Sequence, residues 1–107
     1  MVEPLGGRTL LAALVAGAES RIREALHLDV IAFRRTPSAA LAPLHGPEAV
    51  AAALIALASE AESWTLTANT PDSVLISARR HDHVAFSLEA RLEDSRAVGL
   101  MIRTRAA

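Results

Sequence analysis

The sequence predicts one mixed α+β domain in which an antiparallel sheet of about five strands is flanked by helices. Two long segments repeat apolar residues at helical spacing, and the shorter segments between and after them are rich in β-branched residues. Of the 107 residues, 51% are hydrophobic and 21% are charged, which is typical of a folded domain. The predicted order is α-β-β-α-β-β-β-(α), and residues 1–107 are interpreted as a single α/β domain.

Charge and composition exclude several classes of function. The formal net charge is -1, and neither sign is concentrated, so we expect no binding to nucleic acid or to an anionic membrane. The chain has no cysteine, which excludes disulfides and thiolate chemistry. All 11 Lys and Arg residues are Arg, a composition that we interpret as typical of a GC-rich bacterial genome. There is no signal-peptide pattern, and the longest apolar run (49–58) is shorter than the roughly 20 residues that cross a bilayer, so we expect a cytoplasmic protein.

The first half of the chain predicts a helix followed by two strands. The helix runs from about Thr9 to Leu26, because its apolar residues recur at steps of three and four. Leu28–Arg35 is rich in β-branched and aromatic residues and predicts a strand that ends before Pro37. Residues 39–44 predict a weaker strand, in which Pro43 favours an edge position.

The second helix is the most informative segment. Pro47 and Glu48 are typical of a helix start, and the helix is predicted to continue to about Ser63. No polar residue occurs from 49 to 58, and a helix that is apolar on every side needs cover on every side. A second copy of the chain is the simplest cover, although alanine also tolerates exposure. The predicted homodimer interface consists of Val50, Ala53, Leu54, Leu57, Ala58 and Trp64.

The second half predicts a meander of three strands and an ambiguous end. The strands are residues 64–69, 74–78 and 84–90, joined by short polar turns. From Asp94 to Ala107, one pattern of apolar residues fits a helix, whereas alternation of Val98, Leu100 and Ile102 fits a strand. We favour the helix.

Candidate chemical groups are sparse. His81 and His83 flank Asp82 and could offer two metal ligands, but a solvated hairpin loop is the favoured interpretation. Arg34-Arg35 and Arg79-Arg80 would form a basic patch for a phosphate or an acidic partner if their strands were neighbours.

Other catalytic signatures are missing from the sequence. Glu89, Glu93 and Asp94 are candidate acid–base groups, but no pattern predicts a buried carboxylate pair. No nucleophile elbow, dinucleotide fingerprint or P-loop occurs. We therefore predict no catalytic residue and no cofactor.

The element order resembles that of the roadblock/dynein light chain family. The matching stretches are the opening helix TLLAALVAGAESRIREAL, the strand LDVIAFRR, the helix PEAVAAALIALASEAE and the ending AVGLMIRTR. The resemblance implies a roadblock/profilin-like fold, with the second helix on one face of a five-stranded sheet and the terminal helices on the other. The segment Arg35-Thr36-Pro37-Ser38 departs from that family, which usually has an Asp-Gly turn there.

The resemblance also implies a function. Members are not enzymes, and bacterial members resemble regulators of small Ras-like GTPases, so the expectation is a dimeric, non-catalytic protein-interaction module that regulates or scaffolds such a GTPase. One alternative is a small metal- or ligand-binding domain, or an enzyme, that uses the His81/His83 loop. A second alternative is a dimer similar to secretion chaperones.

Overall fold

The computed structural model describes residues 5–104. The helices are α1 (Leu5–Ala16), α2 (Glu19–Glu24) and α3 (Pro47–Ala58). The strands are β1 (Leu26–Arg35), β2 (Ala40–His45), β3 (Ser63–Asn69), β4 (Ser73–Arg80), β5 (His83–Glu93) and β6 (Arg96–Thr104). They form one sheet in the order β2-β1-β6-β5-β4-β3, in which β1 and β6 are parallel and all other neighbours are antiparallel. The α+β class is confirmed, but the described sheet is mixed and has six strands rather than about five.

The first predicted helix is in fact two helices. Gly17 adopts a φ of 64°, which ends α1. The Gly17 amide donates to the Leu14 carbonyl and the Ala18 amide donates to the Ala13 carbonyl, which is the hydrogen-bond pattern of a Schellman cap. The apolar spacing continues across this cap, so periodicity alone did not reveal the break.

The predicted C-terminal helix is wrong within the described residues, because residues 96–104 form β6. Asp94 and Ser95 have φ values of 52° and 65°, and they form a two-residue turn between β5 and β6. Leu100 and Ile102 then point to the core, as the alternative strand pattern requires. Residues 105–107 of the predicted helix lie outside the described part of the chain.

The helices pack against one face of the sheet, which we call the inner face. Leu10 and Leu14 of α1, Ile22 of α2 and Leu54 of α3 belong to the same core cluster as the inward-facing strand residues. The roadblock-like layering, with helices on both faces, is therefore not found in residues 5–104. None of the helices in this range is long and apolar enough to cross a membrane.

Gly46 places α3 over the sheet. It has a φ of 88°, a conformation that glycine adopts without a steric cost, and it links β2 to α3. Its amide donates to the Val30 carbonyl at 2.9 Å, which fixes the start of α3 next to β1. α3 consequently lies across the edge of the sheet formed by β1 and β2, and the space under its second half becomes the candidate site.

Candidate functional site

A pocket of about 270 Å³ lies between α3 and the ends of β1, β2 and β6. Because β1 and β6 are parallel, their carboxyl ends meet at the same end of the sheet and form the floor of the pocket. Apolar side chains dominate the lining: Leu41 from β2, Ala53, Ala56 and Leu57 from α3, and Ile102 from β6. Arg34, Arg35 and Thr104 complete it. Small alanines on α3 leave the space open where larger residues would fill it.

Arg34 brings a positive charge to this apolar pocket. It follows Val30 and Ala32 on the inner face of β1 and lies opposite Ile102 of β6, so it points under α3. Its Nη2 donates to the Ala42 carbonyl at 3.0 Å. Its Nε is buried and has no hydrogen-bond partner among residues 5–104. No described carboxylate forms an ion pair with Arg34, although the side chain is partly removed from water.

Two further arginines lie near this end of the sheet: Arg35 also lines the pocket, whereas Arg103 lies outside its lining. Arg35 and Arg103 are direct neighbours across the β1–β6 pair, and both side chains are exposed. Neither forms an ion pair with a described carboxylate. Like charges on directly opposite residues repel each other, so this end of the sheet carries a positive potential that the described residues leave uncompensated.

The predicted interface residues fall into three environments. Val50 and Leu54 are fully buried against the chain's own core, so within this structure they are not available to a second chain. Ala53 and Leu57 line the pocket, and Ala58 is half-buried.

Trp64 packs inside the chain rather than on an open surface. It is half-buried, and its ring makes an edge-to-face contact with Phe86 at a centroid distance of 5.6 Å.

The exposed residues of α3 are small or polar, such as Ala49 and Ala52, so the solvent-exposed face of this helix consists mainly of alanine.

The His81/His83 hairpin is exposed and locally satisfied. Its two imidazole rings are 6.4 Å apart, and the described residues contain no group of three or more His, Cys, Asp or Glu that could hold a metal. The His81 amide donates to Oε2 of Glu62 at 3.0 Å, and Arg79 donates to the Asp82 carbonyl at 2.9 Å. The hairpin therefore offers two histidines without a third ligand.

The proposed patch of Arg34-Arg35 with Arg79-Arg80 does not form, because β6 and β5 separate β1 from β4. The acid–base candidates Glu89, Glu93 and Asp94 are all exposed. Sequence reasoning named Arg34 but did not predict its position in the lining of a pocket. The signal was available in the alternation of β1, where Val30, Ala32 and Arg34 share one face and only the last is charged.

The fold is similar to that of several solved structures, all at low sequence identity. A protein from Silicibacter pomeroyi with a cystatin-like fold has a TM-score of 0.68 and 14% identity, over 96% of this chain and 75% of that chain. An NTF2-like protein of unknown function from Mesorhizobium loti has a TM-score of 0.68 and 15% identity, over 92% and 87%. A steroid delta-isomerase from Pseudomonas aeruginosa has a TM-score of 0.64 and 20% identity, over 98% and 82%.

No family model matches the chain, and no curated protein matches it either. The structural similarities show an NTF2-like fold, also described as cystatin-like, and at these identities they show the fold alone.

The roadblock/dynein light chain resemblance is therefore wrong, and so are the roadblock/profilin-like fold and the GTPase-regulator function that rested on it. The predicted element order misled the comparison, because α1 and α2 were predicted as one helix and the resulting order of helix, two strands, helix and three strands resembles that family. The distinguishing element is β6, which the sequence pattern left ambiguous.

Proposed function

We propose that this chain binds a small, largely apolar molecule in the pocket beneath α3. The single observation that carries the proposal is the pocket itself, a space of about 270 Å³ bounded by aliphatic side chains. Ligand sites are concave and mostly apolar, with a few polar groups that orient the ligand, and this lining has that character. The NTF2-like fold is compatible with such a site but does not assign a ligand.

The volume sets the size of the ligand. A water molecule occupies about 30 Å³ in the liquid, so the pocket accommodates roughly nine non-hydrogen atoms. This is below the range of about 300–1,000 Å³ that is typical of drug-sized ligands. A medium-length aliphatic chain therefore fits better than a multi-ring molecule.

The proposal is binding and not catalysis. General acid–base chemistry needs a carboxylate, imidazole or similar group within hydrogen-bond reach of the reacting atom. The described lining contains no Asp, Glu, His, Ser or Cys, and no charged side chain among residues 5–104 is fully buried. Arg34 can hold or polarise a bound group through its N–H donors. We place this activity in the cytoplasm, as the sequence predicts.

Calorimetric titration with 1-octanol, a neutral molecule of the required size, tests the proposal. We expect saturable one-to-one binding to the native chain. Ala53→Trp should abolish it, because the indole would occupy the pocket, whereas Ala52→Trp on the exposed side of α3 should not. Absence of binding to the native chain, or equal binding by both variants, would refute the proposal.

We also infer that a second copy of this chain is the partner, and that it packs on the outer face of the sheet. Phe33, 49% exposed, is aligned there with Met101, Glu89 and Leu75 on neighbouring strands. A shallow groove runs over this row.

The charges of the outer face support a two-fold arrangement. Glu89 lies near Arg91 and Arg103, and none of them forms an ion pair with a described residue. Around a two-fold axis, the carboxylate of one copy can meet a guanidinium of the other. The homodimer predicted from α3 is retained, with its proposed contact moved to the sheet.

A further inference from the structure

We propose that the ligand of the pocket carries a carboxylate and that Arg34 binds it, which makes the chain a receptor for short aliphatic acids. This inference rests on the proposed function, since it needs an occupied pocket. It adds the chemical class of the ligand, which the size and apolar lining of the pocket do not determine.

The guanidinium of Arg34 is held in place but is largely unused. Arginine has five N–H donors in a rigid, planar fork. One of them, on Nη2, donates to the Ala42 carbonyl, and this bond holds the guanidinium beside β2. The Nε–H has no acceptor among residues 5–104. Most of the donors are therefore free to bind another group without moving the side chain far.

The charge of Arg34 is also uncompensated. Charged side chains are almost never fully buried without a partner, and removing part of a charged group from water carries part of that cost. Arg34 forms no ion pair with a described carboxylate, and Arg35, which also lines the pocket, adds a second positive charge. A bound anion would compensate the positive charges of both arginines.

A carboxylate fits better than a phosphate. One guanidinium pairs a carboxylate through two parallel hydrogen bonds, and Arg34 offers such a group at the boundary of the apolar pocket. A phosphate dianion has no apolar part to match the aliphatic lining, and it would bring two charges out of water against Leu41, Leu57 and Ile102. The aliphatic tail would then lie against Leu41, Leu57 and Ile102, with the carboxylate at Arg34.

The test compares octanoate with 1-octanol, which share a chain length and differ in the charged group. We expect octanoate to bind the native chain at least about tenfold more tightly, because hydrogen bonds to charged groups are stronger than neutral ones. Arg34→Met should remove this preference, so that the affinities for octanoate and 1-octanol differ by less than about twofold in this variant, whatever its effect on the two affinities together. Arg80→Met, which removes an exposed arginine outside the pocket lining, should keep the preference.

The outcomes separate the two proposals. If neither molecule binds the native chain, the proposed function fails and this inference fails with it. If both bind equally, the pocket stands and the carboxylate assignment is overturned, and the same holds if Arg34→Met keeps the preference. The comparison on the native chain decides the assignment even if Arg34→Met does not fold. Inorganic phosphate that displaces octanoate at a lower concentration than acetate does would also overturn it.

Discussion

Two polar regions lie at the same end of the sheet, and they differ in how far their charged groups are removed from water. In the β4–β5 hairpin, Arg79 and the His81 amide find local partners in the Asp82 carbonyl and the Glu62 carboxylate, and the side chains are exposed. Under α3, Arg34 is half-buried, lines an apolar pocket and has no described carboxylate partner. Arg79 and Arg34 each donate to one backbone carbonyl, so the difference lies in burial: Arg79 is solvated, whereas the Nε of Arg34 is buried without a described partner, which supports the proposed anionic ligand.

The largest expected effect is on the free energy of unfolding, and it distinguishes the buried core from the wall of the pocket. Leu54 is fully buried on α3, so Leu54→Ala should lower the free energy of unfolding by about 2–5 kcal/mol through lost contacts and a cavity. Leu41 is 44% exposed and lines the pocket, so Leu41→Ala should cost less than about 1 kcal/mol. Denaturant unfolding measures both, and similar costs would show that the pocket wall is part of the packed core.

The Leu41 variant also has a binding consequence. Leu41→Ala removes part of the apolar wall, and octanoate affinity should fall several-fold even though stability barely changes. Calorimetry on the native chain and this variant measures the loss. Unchanged affinity would place the ligand tail elsewhere.

The next largest effect is on the dimer Kd, and it distinguishes the outer face of the sheet from the pocket. Phe33 is half-exposed on that face, and burying the exposed half in a homodimer would contribute about 0.7–1.5 kcal/mol in each of the two copies. Phe33→Glu should therefore raise the dimer Kd at least about tenfold, as seen by light scattering over a concentration range. Octanoate binding should not change.

The matched variant for this surface is Ala53→Arg, on the helix where the sequence first placed the interface. It should block the pocket without affecting the dimer. If Ala53→Arg dissociates the dimer and Phe33→Glu does not, the original α3 interface is correct and the outer-face proposal is wrong.

The smallest effect is expected in the hairpin. The His81→Ala, His83→Ala double variant removes two exposed rings that lack a third ligand, so the free energy of unfolding should change by less than about 0.5 kcal/mol. Octanoate affinity should stay within about twofold of the native value. If the native chain takes up zinc stoichiometrically and the double variant does not, the hairpin and not the pocket would be the better-supported functional site.

Sequence reasoning recovered the strands up to β5 and the start of the second helix, because these segments have clear periodicity. The helix ends at Ala58 rather than at about Ser63, where β3 already begins. The prediction was wrong where one pattern of apolar residues fits both a helix and a strand. Residues 96–104 fit a helix as well as a strand, and the choice was made by the two-residue turn at Asp94-Ser95, where both residues have positive φ. Asp-Ser is a weaker hairpin signal than Asn-Gly, so the turn was not recognised.

The candidate site was only partly accessible from the sequence. The alanine-rich character of α3 was noticed, but it predicted a protein interface, whereas Ala53 and Ala56 instead leave room for a pocket. That distinction depends on β1 and β6 being parallel neighbours, which brings Ile102 opposite Arg34. Pairing between strands that are about seventy residues apart cannot be deduced from local patterns.

The most direct test of the central claim is a methyl NMR titration of the native chain with octanoate. The binding proposal predicts that the largest shifts occur at Leu41, Leu57 and Ile102, which line the pocket, while Leu75 and Met101 on the outer face remain unchanged. Shifts that are largest at Leu75 and Met101, or no saturable shifts at all, would contradict it.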